Sequence, residues 1–209
     1  MLLSIGELRY SGGMSDTPAP VPRKQPVVIL TTARLILRTA TEQDIPVMHA
    51  RVLGVREVMR YVFQGVPMTL ERAERVMRKF FTFEGVTGVT GISVLADRPT
   101  GEIIGFAGLV PCEVLGAADL EIGFVLTRQA WGRGIATEIG EAQLAFGFEQ
   151  LNCRRLLGLV DPRNGPSIHV LQKLGLQYLK DVSEPLRASR TVFCIEADAW
   201  RVKRGDRAP

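Results

Sequence analysis

Apolar and polar positions along the chain change their spacing several times, and each change predicts an element. Leu35, Ile36 and Leu37 stand between Arg34 and Arg38 and read as a short strand. Thr41 with Glu42, Gln43 and Asp44 supplies an N-cap and an acidic first turn for a helix through about Leu53. Thr69 caps a second helix. In it Leu70, Ala73, Val76, Met77, Phe80 and Phe81 recur at helical spacing, with Glu71/Arg75 and Glu74/Arg78 as i,i+4 pairs on the wet face. Three strand-like runs follow at 91–96, 102–110 and 119–126, the first two joined by the turn Asp97-Arg98-Pro99-Thr100-Gly101. Glycines 132 and 134 then lead into a helix from about Ile135 to Leu151. A strand over 155–160, a break at Asp161-Pro162, and a short helix over 165–174 stopped by Gly175 come next. Two last strands fit 177–182 and 191–198. The order β-α-α-β-β-β-α-β-α-β-β predicts one α/β domain with a mixed sheet.

Residues 1–27 break this patterning. Gly12-Gly13 and prolines 18, 20, 22 and 26 cannot build a packed core, so a flexible N-terminal tail is expected there. Leu2, Leu3 and Ile5 are too sparse for a signal-peptide core, and Met14-Ser15-Asp16 offers a second translation start. The folded domain is expected over 28–200, with 201–209 as a solvated C-terminal tail.

Composition narrows the function classes. The chain has 209 residues, 46% hydrophobic and 23% charged, which is enough apolar surface to offset chain entropy and excludes disorder of the whole. No stretch approaches the roughly 20 apolar residues of a membrane helix, so no membrane partner is expected. Three cysteines without C-x-x-C spacing exclude a disulfide scaffold and a cysteine zinc site, and two histidines argue against a histidine metal centre. No metal is expected, and a reducing, cytoplasmic setting is the expected location. The net charge of +4 suits an anionic ligand. Its arginines are interleaved with acids, so the clustered basic face of a nucleic-acid binder is not expected.

The stretch from Leu126 to Glu138 carries the chemistry. A strand ends, a turn with Gly132 and Gly134 follows, and a helix begins. Such a turn gathers backbone N–H groups into one concavity, and the helix adds unpaired N–H groups and the positive end of its dipole. That is a phosphate cradle, although a plain tight turn has the same glycines.

Five motifs in order extend the reading: T-x-R-L-x-L-R (Thr32 to Arg38), V-M-R-Y (Val58 to Tyr61), E-I-G-F (Glu121 to Phe124), W-G-R-G-I-A-T-E (Trp131 to Glu138), and N-x-x-S with K-L-G-L (Asn164, Ser167, Lys173 to Leu176). Over about residues 30–198 the chain resembles the GNAT N-acetyltransferase superfamily, most closely its RimJ/RimL-like branch. The resemblance implies a single GNAT-like domain with a mostly antiparallel sheet whose central strands splay, 119–126 leaving 155–160. It implies acetyl-CoA as donor and an amine-bearing acceptor, a small molecule or a protein N-terminus, in a monomer or homodimer. Trp131 would belong to the cofactor site, and pyrophosphate would lie on backbone groups of Gly132, Arg133, Gly134, Ile135, Ala136 and Thr137. Pantetheine would pair with Phe124, Val125 and Leu126, and Asn164 and Ser167 would contact its arm near the sulfur. Tyr61 and Phe63, in the loop that walls the acceptor site in this family, are the expected acceptor contacts.

The related RimI-like enzymes place a glutamate base and a tyrosine acid at positions that are Leu159 and Leu171 here. Glu121 is the remaining base. Strand alternation puts it on one face with Asp119, Gly123 and Val125, and Gly123 leaves room beside it. The alternative is a partly buried Glu121 paired with an arginine such as Arg34 or Arg38, or a structural strand residue. An α-amine titrates near 7.7–8.0 and a lysine near 10.4, so an α-amine acceptor needs less help from a base. The competing function is a CoA-binding sensor or interaction module without turnover. His49, His169 and Cys112 read as packing or surface residues.

Overall fold

The computed structural model describes residues 26–83, 89–183 and 189–205. All of the expected N-terminal tail but its last two residues lies outside them. The chain runs β1 (Val28–Thr31), β2 (Leu35–Arg38), α1 (Asp44–Met48), α2 (Arg56–Met59), α3 (Leu70–Phe80), β3 (Ser93–Asp97), β4 (Ile103–Cys112) and β5 (Asp119–Leu126). It continues with α4 (Ile135–Ala145), β6 (Arg155–Val160), α5 (Gly165–Leu174), β7 (Gln177–Val182), β8 (Arg190–Glu196) and α6 (Ala197–Arg204). Both α1 and α4 end in a π-helical turn, over His49–Leu53 and Phe146–Gln150.

Among the described residues eight strands form one sheet in the order β1-β2-β3-β4-β5-β6-β8-β7. Every pairing is antiparallel except β5 with β6, whose crossover through α4 imposes the parallel direction. That parallel pairing is short. Its register holds only Leu120 opposite Leu156 and Glu121 opposite Leu157, and the strands then part, as the resemblance implied. Two apolar layers flank the sheet. One packs Phe124, Leu126, Ile135, Ile139, Leu171 and Trp200 beneath α4, α5 and α6. The other packs Met48, Val58, Met77, Phe106 and Val125 beneath α1 to α3.

Several expectations need correction. The pattern predicts no strand before Leu35, yet β1 at the start of the expected domain pairs with β2, and Val27 and Thr39 exchange hydrogen bonds at 2.9 Å. The strand expected to run through Asp198 stops at Glu196, and α6 carries on to Arg204, across the expected boundary at 200. The cause is burial of one face: Ala197 and Trp200 are buried, with Trp200 packed 5.1 Å from the Phe148 ring. The entry into α1 is reversed from the expected cap. Gln43 is the N-cap residue, and the Asp44 carboxylate accepts the Thr41 N–H at 2.7 Å while holding the Arg38 guanidinium with two bonds of 2.7 and 2.8 Å. In α3, Thr69 caps as expected, but Leu70 is exposed because the first helical position turns away from the sheet.

Candidate active site

Where β5 and β6 part, a cavity of about 670 Å³ opens. This is within the usual range for a small-ligand site, roughly 300–1,000 Å³. Its walls come from the gap end of β5, the turn into α4 and its first residues, one side of α5, and α2 with the segment after it. Phe124, Val125, Leu126, Trp131, Gly132, Gly134, Ile135, Ala136, Thr137, Asn164, Ser167 and Tyr61 all line it. Arg133, Phe63 and Glu121 do not.

The turn into α4 has the properties of an anion cradle. Gly132 and Gly134 take φ of +71° and +75°, a left-handed conformation that glycine enters freely. No heavy atom lies within 4 Å of where a Cβ would stand on Gly132. Gly134 is the N-cap residue of α4, and no side chain caps the helix. Its first-turn N–H groups therefore have neither an intrahelical acceptor nor a side-chain one, and Ile135, Ala136 and Thr137 line the cavity. This uncapped helix start fits a pyrophosphate. Trp131 closes the turn from below: its indole Nε1 donates to the Leu126 carbonyl at 2.9 Å, and the Arg128 guanidinium lies 4.9 Å from its ring centre. The Leu126 carbonyl expected to meet pantetheine thus already accepts one hydrogen bond. The Gly123 carbonyl is likewise taken, by Gln143 Nε2 at 2.9 Å.

Across the gap, Asn164 opens α5. Its Oδ1 accepts the Ser167 N–H at 3.4 Å, which leaves the donor end of the amide for the cavity. Beside it, Asp161 is buried and binds Arg163 with two side-chain bonds of 2.9 and 2.7 Å, with Arg190 at 3.8 Å. Hydrogen bonds from Arg163 hold the Asp161 carboxyl below the ordinary carboxylate range. Burial pulls the Arg190 guanidinium down, against the pull of Asp161 and Glu121. The Arg163 and Arg60 guanidiniums lie 6.0 and 5.2 Å from the Tyr61 ring centre. Phe63, at φ +51°, packs on the α1 to α3 layer instead of the cavity.

Glu121 is fully buried, on the strand face that Val125 shares. Neither Arg34 nor Arg38 is its partner. Arg34 pairs with Glu138 and Arg38 with Asp44, which removes that form of the structural alternative. Leu159 and Leu171, which stand at the base and acid positions of the RimI-like enzymes, are sealed in the core. Cys112 is buried as well, and burial pushes its thiol up to about 11, so it is filler and no nucleophile. His49 Nε2 lies 3.0 Å from the Met68 carbonyl, tying α1 to the loop before α3. The cavity also takes in Glu57, Arg60, Arg128, His169 and Lys173, which the sequence reading did not single out as ligand contacts. Arg60 and Lys173 stand inside quoted motifs, and Arg128 stands three residues before Trp131, so proximity to the motifs was the available signal. Among the described residues no group of three or more His, Cys, Asp or Glu is placed to hold a metal ion.

Comparison with known proteins fits this geometry. The Acetyltransferase (GNAT) domain family matches residues 34–177. An uncharacterized protein of Bacillus subtilis (strain 168), YkkB, is 31% identical over 153 residues, covering 73% of this chain and 87% of that one. The spermidine N(1)-acetyltransferase of Escherichia coli (strain K12) is 29% identical over 132 residues, 57% of this chain and 68% of that one. Among solved structures, a GNAT-family acetyltransferase from Bacillus anthracis superposes with a TM-score of 0.67 at 21% identity, covering 80% of this chain and 98% of that one. The spermidine N-acetyltransferase of Vibrio cholerae, in complex with CoA and spermine, superposes with a TM-score of 0.65 at 17% identity, covering 81% and 99%. With the family match extending from β2 to the start of β7, this chain belongs to the GNAT acetyltransferases, transferase enzymes that use acetyl-CoA.

Proposed function

We propose that the protein binds acetyl-CoA in the gap between β5 and β6 and transfers the acetyl group to a primary amine. The uncapped, glycine-led start of α4 opening into the cavity carries this reading. In it, the N–H groups from Gly134 to Thr137 hold the pyrophosphate and the gap edge of β5 takes the pantetheine. The Asn164 amide contacts the arm near the sulfur. The acceptor enters past Tyr61. Its neutral nitrogen attacks the thioester carbonyl, a C–N bond forms, the tetrahedral intermediate collapses, and the sulfur leaves as CoA thiolate. Glu121 takes the amine proton through a water, since it is buried and does not itself line the cavity.

The relatives that act on spermidine support a small amine as acceptor, and a protein N-terminus is the other class the resemblance allows. Turnover of acetyl-CoA against a panel of polyamines, amino acids, aminoglycosides and peptides, read by mass spectrometry, tests the reading. Acetylation of any one class supports it. Tight CoA binding with no acetylated product would instead favour a CoA-binding module, a reading that the apolar, buried Leu159 and Leu171 support.

A further inference from the structure

Glu138 poses a problem for the cradle. It stands in the first turn of α4, where a free carboxylate would compete with a phosphate for the positive end of the helix. In the structure it is fully engaged from another part of the chain. Its Oε1 accepts from Thr32 Oγ1 at 2.5 Å and from the Arg34 N–H at 3.0 Å, and its Oε2 accepts from Arg34 Nε at 2.5 Å. The same guanidinium then reaches the turn itself. Arg34 Nη1 donates to the Arg133 carbonyl at 2.9 Å, and Nη2 lies 3.6 Å from where a Cβ on Gly134 would stand. None of Thr32, Arg34, Arg133 or Glu138 lines the cavity.

The Arg133 carbonyl belongs to the peptide that joins Arg133 to Gly134. In a planar trans peptide the C=O and the N–H point in opposite directions. Fixing that carbonyl toward Arg34 therefore turns the Gly134 N–H the opposite way within the same plane, away from Arg34, and Gly134 is a cavity residue. Arg133 stands between two glycines with positive φ, which have no side chains to hold them and the most conformational entropy to lose.

We infer that Thr32, Arg34 and Glu138 form a brace that holds the glycine turn in its phosphate-binding conformation, with Arg34 as the positioning residue. The brace neutralises a carboxylate at the helix start and orients a donor it does not itself supply. This inference rests on the acetyl-CoA reading above.

The test compares two ligands that differ by the pyrophosphate end. Dissociation constants for CoA, by calorimetry, and for pantetheine, by ligand-detected NMR, are measured on the parent, Arg34→Met and Glu138→Gln. Arg34→Met should weaken CoA about five- to tenfold, the scale of a partly exposed charged hydrogen-bond pair, and leave pantetheine within about twofold. Glu138→Gln should act the same way to a smaller degree, and the double variant should be no worse than Arg34→Met alone. Glu138→Gln, which keeps the side-chain shape, carries the test if Arg34→Met does not fold. Equal weakening of both ligands would mean general structural support and overturn the brace. So would unchanged CoA affinity in variants of a parent that binds CoA. A parent that binds no CoA overturns the cofactor reading and the brace together, and is told apart by that measurement alone.

Discussion

Two helices start at the same cavity and do so in opposite ways. α4 begins on a left-handed glycine with no side-chain cap, while α5 begins on Asn164, whose amide oxygen takes the Ser167 N–H. Both ends carry the same dipole. The difference is that α5 has satisfied part of its own need for an acceptor, and α4 has left its need open to a ligand. On the function proposed above, one end meets the anion of CoA and the other holds a side-chain amide at a fixed place across the gap.

If the two ends only bind, chemistry should be separable from both. The largest effect is expected at Glu121, which belongs to neither end. Glu121→Gln should cut turnover about 10²–10⁴-fold at neutral pH and leave CoA affinity unchanged. The loss should shrink as pH rises and more amine arrives neutral, so a pH–rate profile of both proteins on one accepted amine checks it. A variant within about threefold of the parent across that range, far below a general-base contribution, would make Glu121 structural.

Next is the open end itself. Gly134→Val should weaken CoA about 10- to 100-fold by calorimetry, since a stiff side chain meets the phosphate where backbone must. The φ of +75° adds a stability cost of about 1–2 kcal/mol, read in a thermal melt. The matching change at α5, Gly165→Val, has no positive φ and open space around it, and should leave CoA binding close to the parent. Equal effects at the two glycines would erase the contrast between the ends.

The capped end should respond on both axes but mildly. Asn164→Ala should cost about 1 kcal/mol of stability, the usual worth of such a cap, and weaken CoA severalfold. Lost stability with unchanged affinity would reduce Asn164 to a cap alone. The smallest effect is a pH effect on the α4 side. Burial alone would raise the Glu138 carboxyl, but the bonds from Thr32 and Arg34 outweigh it and hold it below the ordinary range. A depressed folded value means that the pair contributes above the unfolded pKa of about 4.3 and is lost as pH falls through the folded one. Glu138→Gln should therefore melt about 2–4 °C below the parent at pH 7, with the gap closing in acid.

The sequence disclosed those parts of the molecule whose chemistry is local. The glycine turn, the strand-to-helix switch at 126–135 and the Gly175 stop of α5 each depend on residues within a few positions, and all stand where the pattern placed them. What it hid depends on contacts made at a distance. β1 has meaning only beside β2, α6 only because Trp200 finds Phe148, and the role of Arg34 only because Glu138 comes to it from 104 positions away. Tyr61 and Phe63 show the same limit within one loop. They are two residues apart, yet one faces the cavity and the other the core, because Phe63 takes a left-handed backbone that no local pattern signals.

The two-residue register between β5 and β6 has a mechanical consequence. Among the described residues five strands, β1 to β5, form one plate and three, β6 to β8, form another, and only Leu120–Leu156 and Glu121–Leu157 stitch them within the sheet. A seam that short concentrates bending at one line. A strand-like arm lying in the gap would lengthen the stitch and stiffen the whole sheet, so occupancy would be felt as rigidity at β7, the far edge, as well as at the site. Amide exchange slowed along β6 to β8 on adding CoA, beyond the residues that touch it, would be the trace of that stiffening.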